Sequence, residues 1–175
     1  ATGLLIVCVG KYTKKIDEYQ AQEKEYTGTL VLGKTTPSSD LETKVDAEFP
    51  INHINEELIN SIIPNFVGEI DQTPPLFSAK KIQGERAYEF ARRGDDMVLP
   101  SRKVEIKSFE ITRIDFPEID FKVVCSKGTY IRALARDFGK ALQSGAYLKA
   151  LCRTRIREFK LENASLSINW SSVSS

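Results

Sequence analysis

The segment Ser126-Lys127-Gly128-Thr129-Tyr130-Ile131-Arg132 gathers an ammonium, two aliphatic hydroxyls, a phenol and a guanidinium around one glycine. Gly128 permits a tight turn, and Ser126 or Thr129 is suited to cap a helix that starts behind it. Arg132 then falls in the first helical turn, where the backbone N–H groups already carry positive potential. A guanidinium there is unfavourable for the helix alone and makes sense when a carboxylate or phosphate sits across from it. The alternative is an arginine that snorkels to solvent. Tyr130 adds a hydroxyl suited to hydrogen-bonding a carboxylate. Two further constellations carry chemistry. Lys24-Glu25-Tyr26 enters a strand, and Tyr26 reads either as cross-strand packing or, beside a basic patch, as a stacking platform for a base. In Leu151-Cys152-Arg153-Thr154-Arg155-Ile156-Arg157, strand alternation puts Arg153, Arg155 and Arg157 on one face with Leu151 at its head. Three like charges on one face repel unless something anionic lies over them, and non-specific binding of an RNA backbone fits.

Other chemistries are set aside on physical grounds. Gly28-Thr-Leu-Val-Leu-Gly33-Lys34-Thr35 satisfies the phosphate-loop pattern formally. Its interior prefers a strand, however, and Thr35 leads into Thr36-Pro37-Ser38-Ser39, a loop and not a helix. A nucleotide hydrolase is therefore a remote reading. His53 is the single histidine, placed in a polar stretch and expected to be a solvated loop residue. With no Cys-x-x-Cys, no metal site is expected. Cys8, Cys125 and Cys152 are odd in number and widely spaced, which argues for reduced thiols and a cytoplasmic compartment. The chain has 175 residues, 41% hydrophobic and 28% charged, as expected for one soluble domain. Its longest apolar run, Leu4 to Val9, is too short for a bilayer span, and no basic region precedes it as a signal peptide requires. The net charge of +1 hides an asymmetry: from Lys127 to Lys160 nine basic residues face two acids, against 16 basic and 22 acidic elsewhere. One strongly basic segment in a neutral chain suggests either a polyanion contact or an ordinary solvated face.

The elements that must position these groups follow from pattern. Leu4 to Val9 suits a buried strand or a buried helix turn, and Lys11 to Gln22 a short surface helix. Tyr26 to Leu32 alternates as a strand, and Gly33 to Pro50 is a long Thr/Ser/Asp/Pro loop of the kind that is usually functional or mobile. Asn55 caps an amphipathic helix running to about Pro64–Gly68, and Glu85 to Arg93 is a second helix closed by Gly94. Val104 to Phe116 and Ile119 to Cys125 read as strands joined through Pro117-Glu118. Ile131, Leu134, Ala135, Phe138 and Leu142 form a helix stripe, and Leu148 to Leu161 a closing strand. The expected fold class is α/β (α+β), with a mixed, mainly antiparallel sheet flanked by helices.

Taken in register, these residues resemble one family. Ala1-Thr2-Gly3-Leu4-Leu5, Lys24-Glu25-Tyr26, Phe77-Ser78-Ala79-Lys80 with Gly84, Tyr88-Glu89-Phe90-Ala91-Arg92, Ser126 to Arg132, Asp137-Phe138-Gly139, and Gly145-Ala146-Tyr147-Leu148 with Leu151 are similar in order and spacing to the bacterial tRNA pseudouridine-55 synthases, the TruB family. The resemblance runs from Ala1 to about Ala164. It implies a pseudouridine synthase catalytic domain over residues 1–164 that lacks its N-terminal part, and leaves 165–175 unassigned. It also implies isomerisation of uridine-55 in the tRNA T-loop, with base flipping, no metal and no cofactor, in a cytoplasmic monomer whose partner is the tRNA T-arm. By match, Arg132 pairs with the family's nucleophilic aspartate, Tyr26 stacks on the uracil and assists proton transfer, Tyr130 hydrogen-bonds in the same pocket, and Leu151 packs against the ring. Lys127, Arg153, Arg155 and Arg157 contact RNA phosphates. The family's aspartate precedes the Ala-Thr-Gly by three residues, so the chain as given is expected to turn over nothing while its parent is active. The alternative from another class is a non-catalytic RNA-binding fragment or RNA chaperone.

Overall fold

Glu118–Cys125 alternates apolar and polar without a break, and in the computed structural model it is a strand whose Ile119, Phe121, Val123 and Cys125 are buried. The structure describes residues 1–78, 81–82, 85–94 and 99–164. Around that strand the main sheet assembles from β1 (Thr2–Gly3), β2 (Lys24–Leu32), β5 (Gly68–Gln72), β8 (Arg102–Asp115), β9 (Glu118–Cys125), β10 (Ala146–Ile156) and β11 (Phe159–Lys160). Its order is β1-β10-β2-β9-β8-β5, with β11 on β10. Every pairing is antiparallel except β1 with β10. Two small hairpins, β3 (Lys34–Thr35) with β4 (Ala47–Glu48) and β6 (Lys81–Ile82) with β7 (Glu85–Arg86), lie apart from it. The mixed α/β class with a mainly antiparallel sheet is as the sequence predicts.

Helices α2 (Glu56–Ile62), α3 (Ala87–Arg93) and α4 (Ile131–Ala141) also stand where their patterns put them, and α1 (Ile16–Gln20) extends a 3-10 turn over Gly10–Lys15. Asn55 Oδ1 accepts from Leu58 N–H at 2.8 Å, the expected cap of α2. The α4 stripe packs onto one face of the sheet: Ile131, Leu134, Ala135, Phe138 and Leu142 join Leu30, Leu32, Phe109 and Phe121 in a single core with Ile59, Ile62 and Phe66. Phe66, Phe109 and Phe138 meet at centroid separations of 5.6–6.3 Å in tilted and edge-on pairs, geometry that aromatic quadrupoles favour. Burial pushes the Cys125 thiol up to about 11, so it stays protonated and inert in this core. All three cysteines are free thiols.

One expectation about the fold needs correction. Leu4 to Val9 is not a buried strand. It runs on from β1 with Leu4 buried, while Leu5, Val7 and Val9 are 66–70% exposed. The reason is competition for an edge. β1 pairs with Cys152 and Arg153 of β10, but the next stretch of that edge, Arg155–Ile156, is taken by β11. The phosphate-loop pattern is set aside as the sequence predicts, because Gly28 to Leu32 lies within β2 and no helix follows Thr35. His53 is exposed as expected, although its Nε2 sits 2.7 Å from the Leu142 carbonyl behind α4. Ala79, Lys80, Gly84 and the tail from Ser165 lie outside the described residues.

Gly139 tests how tightly α4 seats on the sheet. A Cβ there would lie 2.3 Å from Ala146 N and 2.5 Å from Gly145 C, backbone atoms that cannot turn aside. Alanine is the better helix former by about 1 kcal/mol. Gly139→Ala nevertheless lowers stability, by about 1–3 kcal/mol through overpacking, in a denaturant titration against the parent sequence.

Candidate active site

The site is built where β1, β2, β10 and the start of α4 converge. In the β2–β10 register Tyr26 lies opposite Arg153 and Leu151 opposite Gly28. A cavity of about 430 Å³ opens there, lined by Tyr26, Tyr130, Arg132, Leu151 and Arg153. Ala1, Thr2 and Gly3 form its other wall. The backbone of β1 can come this close because Gly3 has φ +106° and no side chain: a Cβ would fall 2.2 Å from the Arg153 carbonyl oxygen. Every residue expected to form the substrate pocket is therefore in one place, although residues 26, 130–132 and 151 are far apart in the chain.

The Gly128–Tyr130 turn does arrive at α4 as predicted, but neither expected residue caps the helix. Thr129 Oγ1 donates to the Ser126 carbonyl, and Ser126 Oγ accepts from Glu105 N–H. Tyr130 occupies the N-cap position without a side-chain bond, and its N–H is taken by Gln72 Oε1 at 2.8 Å. A strand residue from elsewhere in the sheet supplies the acceptor, something local sequence cannot announce.

Arg132 finds the anion that its place in the first turn demands. Its Nη1 donates to the Ser38 carbonyl at 3.1 Å, and its Nε lies 3.8 Å from Asp40 Oδ2. Asp40 is held in turn: Oδ1 accepts from Ser38 Oγ at 2.6 Å and from Glu42 N–H at 2.9 Å. The loop carrying it is anchored, since Leu148 N–H donates to the Ser39 carbonyl and Thr36 Oγ1 to the Asp40 carbonyl. Asp40 is the residue beside Arg132 that the sequence alone does not single out. The available signal was a carboxylate inside a Ser/Thr-rich loop, combined with an arginine requiring a partner.

Charge on the pocket side is cationic. Arg153 donates through Nε to the Leu4 carbonyl, and among the described residues no carboxylate pairs with it. Burial, with Arg153 and Lys127 nearby, pushes the Lys24 ammonium below its usual range. Burial pushes the Tyr26 phenol above its ordinary value, with the Arg153 guanidinium opposing. Arg155 and Arg157 do not share this face. A β-bulge between Arg153 and Arg155 breaks the alternation, so Arg155 falls opposite Glu25, on the other side of the sheet from Tyr26. There it pairs with Glu23 at 2.9 Å and Glu25 at 3.7 Å. Lys107 and Arg155 together hold the Glu23 carboxyl below its usual range. Arg157 lies beyond the strand at φ 50° and pairs with Glu158. The groove on that far side, about 610 Å³, is larger than the first, but its cations Lys122, Arg155 and Lys160 all have acid partners.

The chain that forms this pocket of Tyr26, Leu151, half-buried Arg132 and Arg153 is similar to known proteins. The family described as TruB family pseudouridylate synthase (N terminal domain) matches residues 1–131. The tRNA pseudouridine synthase B of Flavobacterium johnsoniae is 60% identical over 164 residues, covering 94% of this chain and 72% of that protein. That of Parabacteroides distasonis is 56% identical, covering 93% and 69%. Among solved structures, the Cbf5-Nop10-Gar1 complex contains a chain 28% identical with a TM-score of 0.66; the match covers 90% of this chain and 37% of that one. With its fold and most of its length matched in this way, the chain belongs to the TruB family of pseudouridylate synthases.

Proposed function

We propose that the chain forms the catalytic part of an enzyme that isomerises uridine to pseudouridine in the T-loop of tRNA, as the monomeric, cytoplasmic partner of the T-arm. The observation carrying this reading is the convergence of Tyr26, Tyr130, Arg132 and Leu151 on one cavity with a cationic rim. In the reaction the C1′–N1 bond breaks, the uracil turns, C5 bonds to C1′, the C5 proton leaves to solvent, and N1 takes up a proton. A stacked base cannot reach a pocket beside α4, so the uridine is flipped out of the loop. Leu151 and the Tyr26 ring then hold the uracil between an apolar and an aromatic surface, while Tyr130 offers a hydroxyl to it.

Arg132 is the electrostatic centre. Its guanidinium, half-buried and oriented by Ser38 and Asp40, favours the ionised form of a second carboxylate brought beside it. The family's nucleophilic aspartate stands three residues ahead of the position of Ala1, and three residues reach at most about 10 Å. Ala1 to Gly3 line the cavity, so a carboxylate from that direction opens onto Arg132. Lys127 and Arg153 face the RNA backbone from the pocket side. Arg155 and Arg157, proposed from sequence for the same task, have acid partners to release before they could join.

Tritium release from C5-labelled uridine in a T-arm minihelix tests the reading. Residues 1–175 alone release none, whereas a form extended upstream through the family's aspartate releases tritium stoichiometrically with pseudouridine. An extended form that binds the minihelix without release would instead be the non-catalytic RNA binder. In the extended form Arg132→Lys keeps the charge but loses the planar fork. Its kcat falls by on the order of 100-fold or more with minihelix affinity within a few-fold, and near-normal turnover would remove Arg132 from its role. Tyr26 is checked separately by absorbance near 295 nm. Its phenol ionises above the ordinary value of 10, so the difference between parent and Tyr26→Phe appears only above that pH. Because the folded state holds this proton more tightly than the unfolded state, the contribution to stability is intact below pH 10 and is lost as the pH rises beyond it.

A further inference from the structure

Helix α4 starts without a side-chain cap, and the group that holds its N-cap residue lies outside the pocket. Gln72, the last residue of β5, is 1% exposed and accepts the Tyr130 N–H. Its Nε2 is buried with no hydrogen-bond partner among the described residues, an arrangement that is costly unless the side chain serves a further purpose. Arg102 of β8 is the cross-strand neighbour of Gln72. Its guanidinium donates to the Gly128 carbonyl and lies 5.3 Å from the centroid of the Tyr130 ring. Gly128 has φ +81°, and a Cβ there would sit 2.9 Å from Arg102 Nη2. Two neighbours on one ladder thus grip both ends of Gly128–Tyr130. The residues that follow, Ile131 and Arg132, line the cavity. With 3.6 residues per turn, a slip of one residue in this first turn rotates Arg132 by about 100°, away from Ser38 and Asp40.

We propose that Gln72 and Arg102 form a clamp that fixes the first turn of α4 and so positions Tyr130 and Arg132 in the pocket. Both are positioning residues, since neither lines the cavity. The kinetic consequence rests on the uridine-isomerase reading of that cavity; the structural consequence does not. The competing role for Arg102, which is exposed, is direct contact with an RNA phosphate, and the two roles separate on charge-conserving substitution. A phosphate contact survives Arg102→Lys, but a fork that spans a carbonyl and a ring does not.

Two measurements on Gln72→Met, Arg102→Lys and Arg102→Met test the clamp. In residues 1–175, amide hydrogen exchange at Tyr130 accelerates at least tenfold in Gln72→Met, and the first turn of α4 loses protection in both Arg102 variants, while Val123 in β9 stays protected. In the upstream-extended form, kcat for tritium release falls at least tenfold in Gln72→Met and Arg102→Lys, with KM for the minihelix within twofold and the salt dependence of binding unchanged. Unaltered exchange at Tyr130 in all three variants overturns the clamp. So does Arg102→Lys behaving as the parent while Arg102→Met weakens binding and lowers the salt slope by about one, the signature of a lost phosphate contact. Should Gln72→Met fail to fold, the exposed Arg102→Lys decides alone. If the unsubstituted extended form releases no tritium, the proposed function falls and the exchange data still decide the clamp.

Discussion

The register between β2 and β10 is the constraint on which the pocket depends. Pairing Tyr26 with Arg153 and Gly28 with Leu151 places an aromatic ring, an apolar side chain and a cation on the same face. A slip of one residue between the two strands would leave Tyr26 on one face and Leu151 and Arg153 on the other. Gly28 helps to hold this register, because a Cβ there would lie 2.6 Å from the Ala150 carbonyl oxygen and 2.7 Å from Phe121 Cζ. β10 carries more than this ladder. Its other edge accepts β1 and β11, its N-terminal half packs beside α4, and Leu148 anchors the loop that holds Asp40. One strand therefore brings together groups from four separate stretches of the chain.

Electrostatics then divides the sheet into two unlike faces. On the far face Arg155, Lys107 and Lys122 are matched by Glu23 and Glu25, and Arg113 by Asp115, Glu118 and Asp120. A polyanion approaching that face would have to displace these acids. On the pocket face Arg153, Lys24 and Lys127 lie close enough for the other two to depress the Lys24 ammonium, and no carboxylate is paired with them among the described residues. Cations left mutually repelling are stabilised by an incoming polyanion. The single bulge after Arg153 is what separates a neutralised arginine from an available one.

Arg132 shows how a half-buried charge is made tolerable. A guanidinium in the first turn of a helix meets like potential from the backbone, and burial adds a desolvation cost. Ser38 supplies a carbonyl and Asp40 a carboxylate, themselves fixed by hydrogen bonds within the 36–43 loop. That loop, which from composition reads as either functional or mobile, is a knot of buried Thr36, Ser38 and Ser39. Its order is required because an arginine held by a wandering carboxylate could not orient anything else.

Local pattern by itself determined the amphipathic α4, the Asn55-capped α2, the alternating β9 and the seven-residue turn that delivers Arg132, because each depends on contacts within a few residues. The family motifs likewise named Tyr26, Tyr130, Arg132 and Leu151 without reference to their positions in space. Tertiary structure alone decided the rest. Asp40 became the partner of Arg132 from 92 positions away, Gln72 took the N–H of the N-cap residue Tyr130 while neither Ser126 nor Thr129 capped the helix, and β11 displaced Leu4–Val9 from the edge of β10. Arg155 left the face of Arg153 through a bulge that period-2 reasoning cannot foresee. In each instance the outcome turned on which of several chemically equivalent partners reached a backbone edge or a charge first in space. Sequence spacing fixes such competitions only when both competitors are local.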